Sequence, residues 1–171
     1  MEKIAWLVLG TATLVCGIAA QWRPPALPRG RLALGVFYLF AGALVHVIYL
    51  AAGASYAGFA DAAHVPFVRT AWHSVVAPRQ TLVIGLLILF EAAVGVLVLL
   101  GGRAAQAGMA GILGMQAGLL LFGWVLTGFA TVMLVAVGLL LRAQVHHDRA
   151  GARERLGPVG VTPPAAGFGR R

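Results

Sequence analysis

The chain is poor in charge, in acid and in cysteine. Of its 171 residues, 11% are charged, and only five are Asp or Glu. A soluble domain is nearer a quarter charged, so a polar, water-facing surface of ordinary size is excluded. A single cysteine, Cys16, excludes an internal disulfide and any cysteine-based metal cluster. It sits in an apolar run, where a free thiol behaves as a small hydrophobe. Lysine occurs once, at Lys3, against twelve arginines. With abundant Ala, Gly and Val, that bias points to a GC-rich bacterial coding sequence. No phosphate loop, dinucleotide fingerprint, haem motif or nucleophile–base pair is present.

What the chain has instead is hydrocarbon. It is 60% hydrophobic, with a mean hydropathy of +0.90. Long uncharged apolar runs suit a bilayer and have no use in a soluble fold of this size. The net charge of +8 comes from basic residues that flank the runs or lie in the C-terminal tail. That placement fits topology and anionic headgroups, and no aromatic–basic interleaving supports nucleic-acid binding. The expected partner is the lipid bilayer.

Four long runs organise the chain. Ile4 to Ala20 is the first. It resembles a signal peptide, but Ile18 is too large for a cleavage site and Arg23, Arg29 and Arg31 follow at once. It reads as a first membrane helix. Pro24, Pro25 and Pro28 then predict a stiff loop. The second run is 32–52, with Gly35 and Gly42 as small packing positions, and the third is 81–100. Between them, Val65, Val68, Trp72 and Val75 recur at helical spacing opposite Arg69 and His73. This predicts an amphipathic surface helix over 65–77, begun by Pro66 and ended by Pro78, with Trp72 at headgroup level.

From Ala104 to Leu141 there are 38 residues without a charge. One helix of that length would be about 57 Å long, against a hydrocarbon core of about 30 Å. The run therefore reads as a hairpin, 104–122 and 125–142, reversing near Phe122-Gly123-Trp124. Ala104, Ala107, Gly111, Gly114 and Gly118 form a small-residue stripe expected to pack closely on another helix. Residues 143–171 read as a basic, mostly disordered tail. Five spans put ten basic residues on one side and three (Lys3, Arg69, Arg79) on the other. The positive-inside rule then places the tail in the cytoplasm and the N-terminus and amphipathic helix outside. The expectation is an all-α integral membrane protein of the bacterial cytoplasmic membrane, with one domain over 1–142.

Few residues can carry chemistry. Glu91 lies mid-run, where a carboxylate is costly unless paired, protonated or facing water. His46 lies on the neighbouring antiparallel run, at a depth differing by roughly 7 Å. The two could relay protons or hold a quinone carbonyl, or simply tie two helices together. Gln116 has a deep amide that needs a partner. His64 and Asp61, three apart, are placed to share a helical face, with Tyr56 nearby, while His64 and His73 are too far apart for a compact metal spacing. No metal site is expected, and His146-His147-Asp148 belongs to the tail. Ligand-binding candidates are Glu91, His46, Gln116, His73 and Trp72; of these Glu91 and His46 are the catalytic candidates.

Two stretches resemble the DoxX-like family of small four-helix membrane proteins. Arg31-Leu32-Ala33-Leu34-Gly35-Val36-Phe37-Tyr38-Leu39-Phe40-Ala41-Gly42 is similar to that family's first helix. Phe90-Glu91-Ala92-Ala93-Val94-Gly95-Val96-Leu97-Val98-Leu99-Leu100-Gly101 is similar to its second, followed by Arg103 and a Gly/Ala-rich hairpin. The resemblance spans 31–142 and implies a four-helix bundle, to which this chain adds an N-terminal helix and a long outer segment. The lysine that often ends the family's first helix is absent; Leu44-Val45-His46 and Tyr49 stand there. Some members of that family are subunits of quinone-linked oxidoreductases and others are associated with redox or thiol-stress complexes. The resemblance therefore implies an accessory or anchor subunit of a membrane redox complex, not catalytic by itself, with a membrane redox protein as the partner. No cofactor is evident in the residues, and a quinone is the one the resemblance implies. Two other readings stay open: a proton- or small-molecule-handling protein using Glu91 and His46, and a stand-alone quinone-interacting oxidoreductase.

Overall fold

The computed structural model describes the backbone of residues 2–155 and the side chains of 7–153. Every regular element among them is helical. We label the helices α1 (Glu2–Ala19), α2 (Ala26–Ala51), α3 (Pro66–Leu100), α4 (Gly102–Leu119) and α5 (Trp124–Arg155). Three of them, α2, α3 and α5, are long and apolar enough to cross a membrane. The apolar part of α1 is shorter, Leu7–Ala19.

Glycine sets how the helices meet. A Cβ on Gly35 would fall 3.1 Å from the Gly95 carbonyl oxygen, and one on Gly95 would fall 3.2 Å from that of Gly35. The backbones of α2 and α3 therefore cross in close contact there, which a side chain on either would prevent. Antiparallel running from that crossing brings Gly42 of α2 against Glu91 of α3. Between α3 and α4 the reversal takes one residue pair, Gly101 (φ 83°) and Gly102 (φ 53°), both in conformations that cost other residues dearly. The N-terminal helix runs alongside α5 in the same direction, with Gly10 near Met133 and Gly17 against Ala136 and Leu140. Leu34, Val98, Met109, Ile112, Met133, Val137 and Leu140 fill the core with no exposed surface.

Several sequence expectations need correcting. The second helix begins at Ala26, not 32. Pro25 precedes it and Pro28 sits in its first turn, where a missing N–H costs nothing. Residues 65–77 do not form a separate helix. The chain runs from Pro66 through a π turn (Trp72–Val76) and a 3₁₀ turn (Ala77–Arg79) straight into the α-helix Gln80–Leu100. Pro78 kinks this path without ending it, because its missing N–H falls in the 3₁₀ turn. On the expected apolar face Val68 and Trp72 are half-buried, while Val65 and Val75 are exposed.

The small-residue stripe of α4 is also displaced. Gly114 and Gly118 have no neighbour, and Ala107 is exposed. The packed face is Ala105, Gly108, Met109, Ile112 and Gln116. Only Gly111, near Val94 and Phe90, belongs to the expected stripe and also meets another helix. Finally, residues 143–155 are helical and not disordered. They hold three Ala, three Arg and two His with one Gly and no Pro, whereas Pro and Gly gather from 157 onward, outside the described residues. Gln144 and Gln106 donate to the two Asp148 carboxylate oxygens at 2.9 and 2.7 Å, and Arg31 donates to Gln144 at 3.3 Å. These partners hold the extension of α5 against α4 and α2.

Candidate functional site

At the end of the bundle away from Arg31 and Asp148, the helices part around a cavity of about 330 Å³. Its polar groups come from four elements: Tyr38 and His46 from α2, Glu91 from α3, Gln116 from α4, and Tyr56 from the segment between α2 and α3.

The α2 contribution depends on its backbone. Residues Phe37–Leu44 form a π-helix between two α-helical halves. Such segments gather at functional sites because the extra residue per turn re-aims side chains. Here Phe37, Tyr38, Ala41, Gly42 and His46 all face the cavity. Gly42 makes room for the acid. A Cβ there would lie 3.0 Å from both the carboxyl carbon and Oε1 of Glu91.

Glu91 is 5% exposed, and its Oε2 has no hydrogen-bond partner. His46 Nε2 lies 3.8 Å from this oxygen, within ion-pair range and beyond hydrogen-bond range. On its other side the imidazole shares a hydrogen bond with the Tyr56 hydroxyl, Nδ1 to Oη at 3.0 Å. A string of polar groups therefore leads from the buried acid through an imidazole to a phenol in the connecting segment. Tyr56 is held in turn by that segment. Its N–H donates to Gln80 Oε1 at 3.1 Å, and its carbonyl accepts the Trp72 indole N–H at 2.9 Å.

Deeper in the cavity, Gln116 Nε2 donates to the Tyr38 hydroxyl at 2.8 Å. Both residues are about 1% exposed, and Gln116 Oε1 has no donor. The walls are otherwise apolar and aromatic. Phe59, Trp72 and Phe122 touch one another, with ring centroids 5.0 to 5.7 Å apart, and close the cavity at this end. Phe37 stacks on Phe129 across the wall at 6.1 Å.

The structure thus brings Glu91, His46, Gln116 and Trp72 to one cavity. It leaves His73 outside. His73 Nε2 pairs with Asp61 Oδ1 at 2.9 Å on the exposed surface. The expected His64–Asp61 relation is absent, because residues 61–65 are not helical. His64 instead bonds Thr127 Oγ1 at 3.3 Å and packs edge-on against Trp124. Among the described residues no three His, Cys, Asp or Glu side chains gather as a metal ion would require. His146-His147-Asp148 lies on helical α5, with Asp148 engaged by the two glutamines.

Sequence reasoning missed Tyr38 and Gly42 as site residues, and it grouped Tyr56 with the surface histidines. A tyrosine in an apolar run was a readable signal, since its hydroxyl needs a partner when buried. The π-helix had no signal in the sequence. No family model, curated protein or solved structure matches this chain.

Proposed function

We propose that this chain is a five-span protein of the bacterial cytoplasmic membrane that binds a small amphipathic molecule in the cavity between α2, α3 and α4. The observation that carries this reading is the cavity itself. Its size lies at the small end of the range for ligand sites, its walls are mostly apolar, and a few polar groups from different helices converge in it. Two of those groups, Glu91 Oε2 and Gln116 Oε1, are buried without partners. Orphaned buried polar atoms are costly, and native proteins rarely keep them without a purpose. A subunit serving only as an anchor needs neither the space nor the orphaned oxygens, so the binding role takes precedence over the accessory role in a quinone-linked complex.

The membrane arrangement rests on two observations. Ten of thirteen basic residues fall on one side if every helix crosses. In addition, α1 packs alongside α5, with Gly10 near Met133 and Gly17 against Ala136 and Leu140. In this arrangement the cavity opens in the outer half of the bilayer, under the segment 57–79, and the C-terminal tail is cytoplasmic. The DoxX-like organisation over 31–142, expected from the resemblance of two stretches, stands as part of the proposal.

The test is equilibrium binding to the purified protein in lipid nanodiscs, read by quenching of tryptophan fluorescence. A panel of amphipathic ring compounds, including a short-chain ubiquinone, should yield saturable binding at one site, weakened in Glu91→Gln and His46→Ala. Absence of saturable binding across the panel contradicts the proposal.

A further inference from the structure

We infer that the cavity selects a lipophilic cation whose head carries N–H donors, a protonated amine on an apolar or aromatic body. This rests on the binding role proposed above and names its ligand class. Two cavity atoms stand without partners: Glu91 Oε2, an acceptor whenever the carboxyl is ionised, and Gln116 Oε1, an acceptor. Their residues are 5% and 1% exposed, so bulk water does not serve them. A ligand that completes the site with Glu91 ionised must therefore bring donors. A quinone brings two carbonyl acceptors, which the acid form of Glu91 can serve but which give nothing to Gln116 Oε1 or to a carboxylate.

Charge points the same way. No lysine or arginine lines the cavity. His46 is the only basic side chain beside Glu91, and its Nε2 stays 3.8 Å away while Nδ1 is engaged with Tyr56. An ionised carboxylate left in such surroundings is expensive, and an ammonium within hydrogen-bond reach offsets that cost. The third observation is the wall. Phe37, Tyr38, Tyr56, Phe59, Trp72 and Phe122 all face the same space. Aromatic faces attract a desolvated cation through their quadrupoles. A carboxyl and several aromatic rings lining one cavity are the parts of a cage for a cation, and the apolar remainder of the lining suits its hydrocarbon body.

The experiment compares three probes on the full-length protein in nanodiscs: 1-naphthylmethylammonium, its neutral partner 1-naphthylmethanol, and a short-chain ubiquinone. The amine should bind at least about tenfold tighter than the alcohol, the scale of one charge-assisted hydrogen bond. Glu91→Gln, which keeps the shape and removes the charge, should erase that preference. If Glu91→Gln does not fold, Phe59→Leu decides. This ring is 40% exposed and its loss is cheap. It should weaken the amine several-fold and leave the alcohol nearly unchanged, whereas a ring that only fills space would weaken both equally. Equal affinity for amine and alcohol, or tighter binding of the quinone, overturns the cation inference while leaving a binding pocket. No binding by any probe overturns both.

Discussion

At the scale of single residues, the site turns on small differences in volume and on one hydroxyl. Gly42 lies against the Glu91 carboxyl, and an added methyl would sit 3.0 Å from two of its atoms. Gly42→Ala should therefore push the carboxyl away from His46. Affinity for any ligand that uses the acid should fall by about tenfold, with the helical circular dichroism spectrum unchanged, since alanine favours helix. Unaltered affinity would mean the carboxyl is not where binding happens. Tyr38 makes a different contribution. Tyr38→Phe leaves the Gln116 amide with neither of its polar atoms partnered. That should cost about 1–3 kcal/mol of stability, readable as a lower denaturant midpoint in mild detergent. A midpoint equal to wild type would show that the Tyr38–Gln116 bond is dispensable.

At the scale of elements, the sequence resolved what periodicity and length control and failed where local geometry decides. Runs without charge located the body of α3 and the reversal between α4 and α5, but missed the start of α2 by six residues and the end of α5 by thirteen. Glu91 and His46 were legible as neighbours because depth along antiparallel helices is simple arithmetic. The start of α2 was not, because prolines read as breakers are harmless in a first turn. The packed face of α4 was misplaced by about one residue in register, since glycine and alanine are so frequent there that more than one stripe can be drawn. The π turn in α2 depends on tertiary contacts and leaves no mark in composition. Its role is testable. Inserting one alanine between Leu44 and Val45, where the chain returns to α geometry, should rotate His46 by about 100° relative to Tyr38. Ligand binding should vanish with helix content retained; persistence of binding would separate the π turn from the site. At the other end of the bundle, the Asp148 cluster explains why the chain stays helical past Arg142. Asp148→Ala removes the acceptor of both Gln106 and Gln144. Amide exchange over 143–155 should quicken by about tenfold. Exchange at the wild-type rate would show that the extension of α5 stands without this clamp.

At the scale of the whole molecule, the two ends of the bundle are unlike. One carries Arg31, Gln144, Gln106 and Asp148 in a hydrogen-bonded network, and the other carries the cavity and its aromatic closure. In the topology proposed above the first faces the cytoplasm. A phosphatase reporter fused after Arg171 should be inactive and a fluorescent one bright; the reverse pattern would invert the topology and move the cavity to the inner leaflet. Whichever way it faces, the account stands or falls on whether the cavity is a binding site. The direct measurement is ligand binding in nanodiscs to wild type and to Met115→Trp, which fills the cavity from a lining position without touching Glu91 or His46 in sequence. The account predicts one saturable site in the wild type and its loss in the filled variant at unchanged fold. Binding of equal strength in both proteins would contradict it.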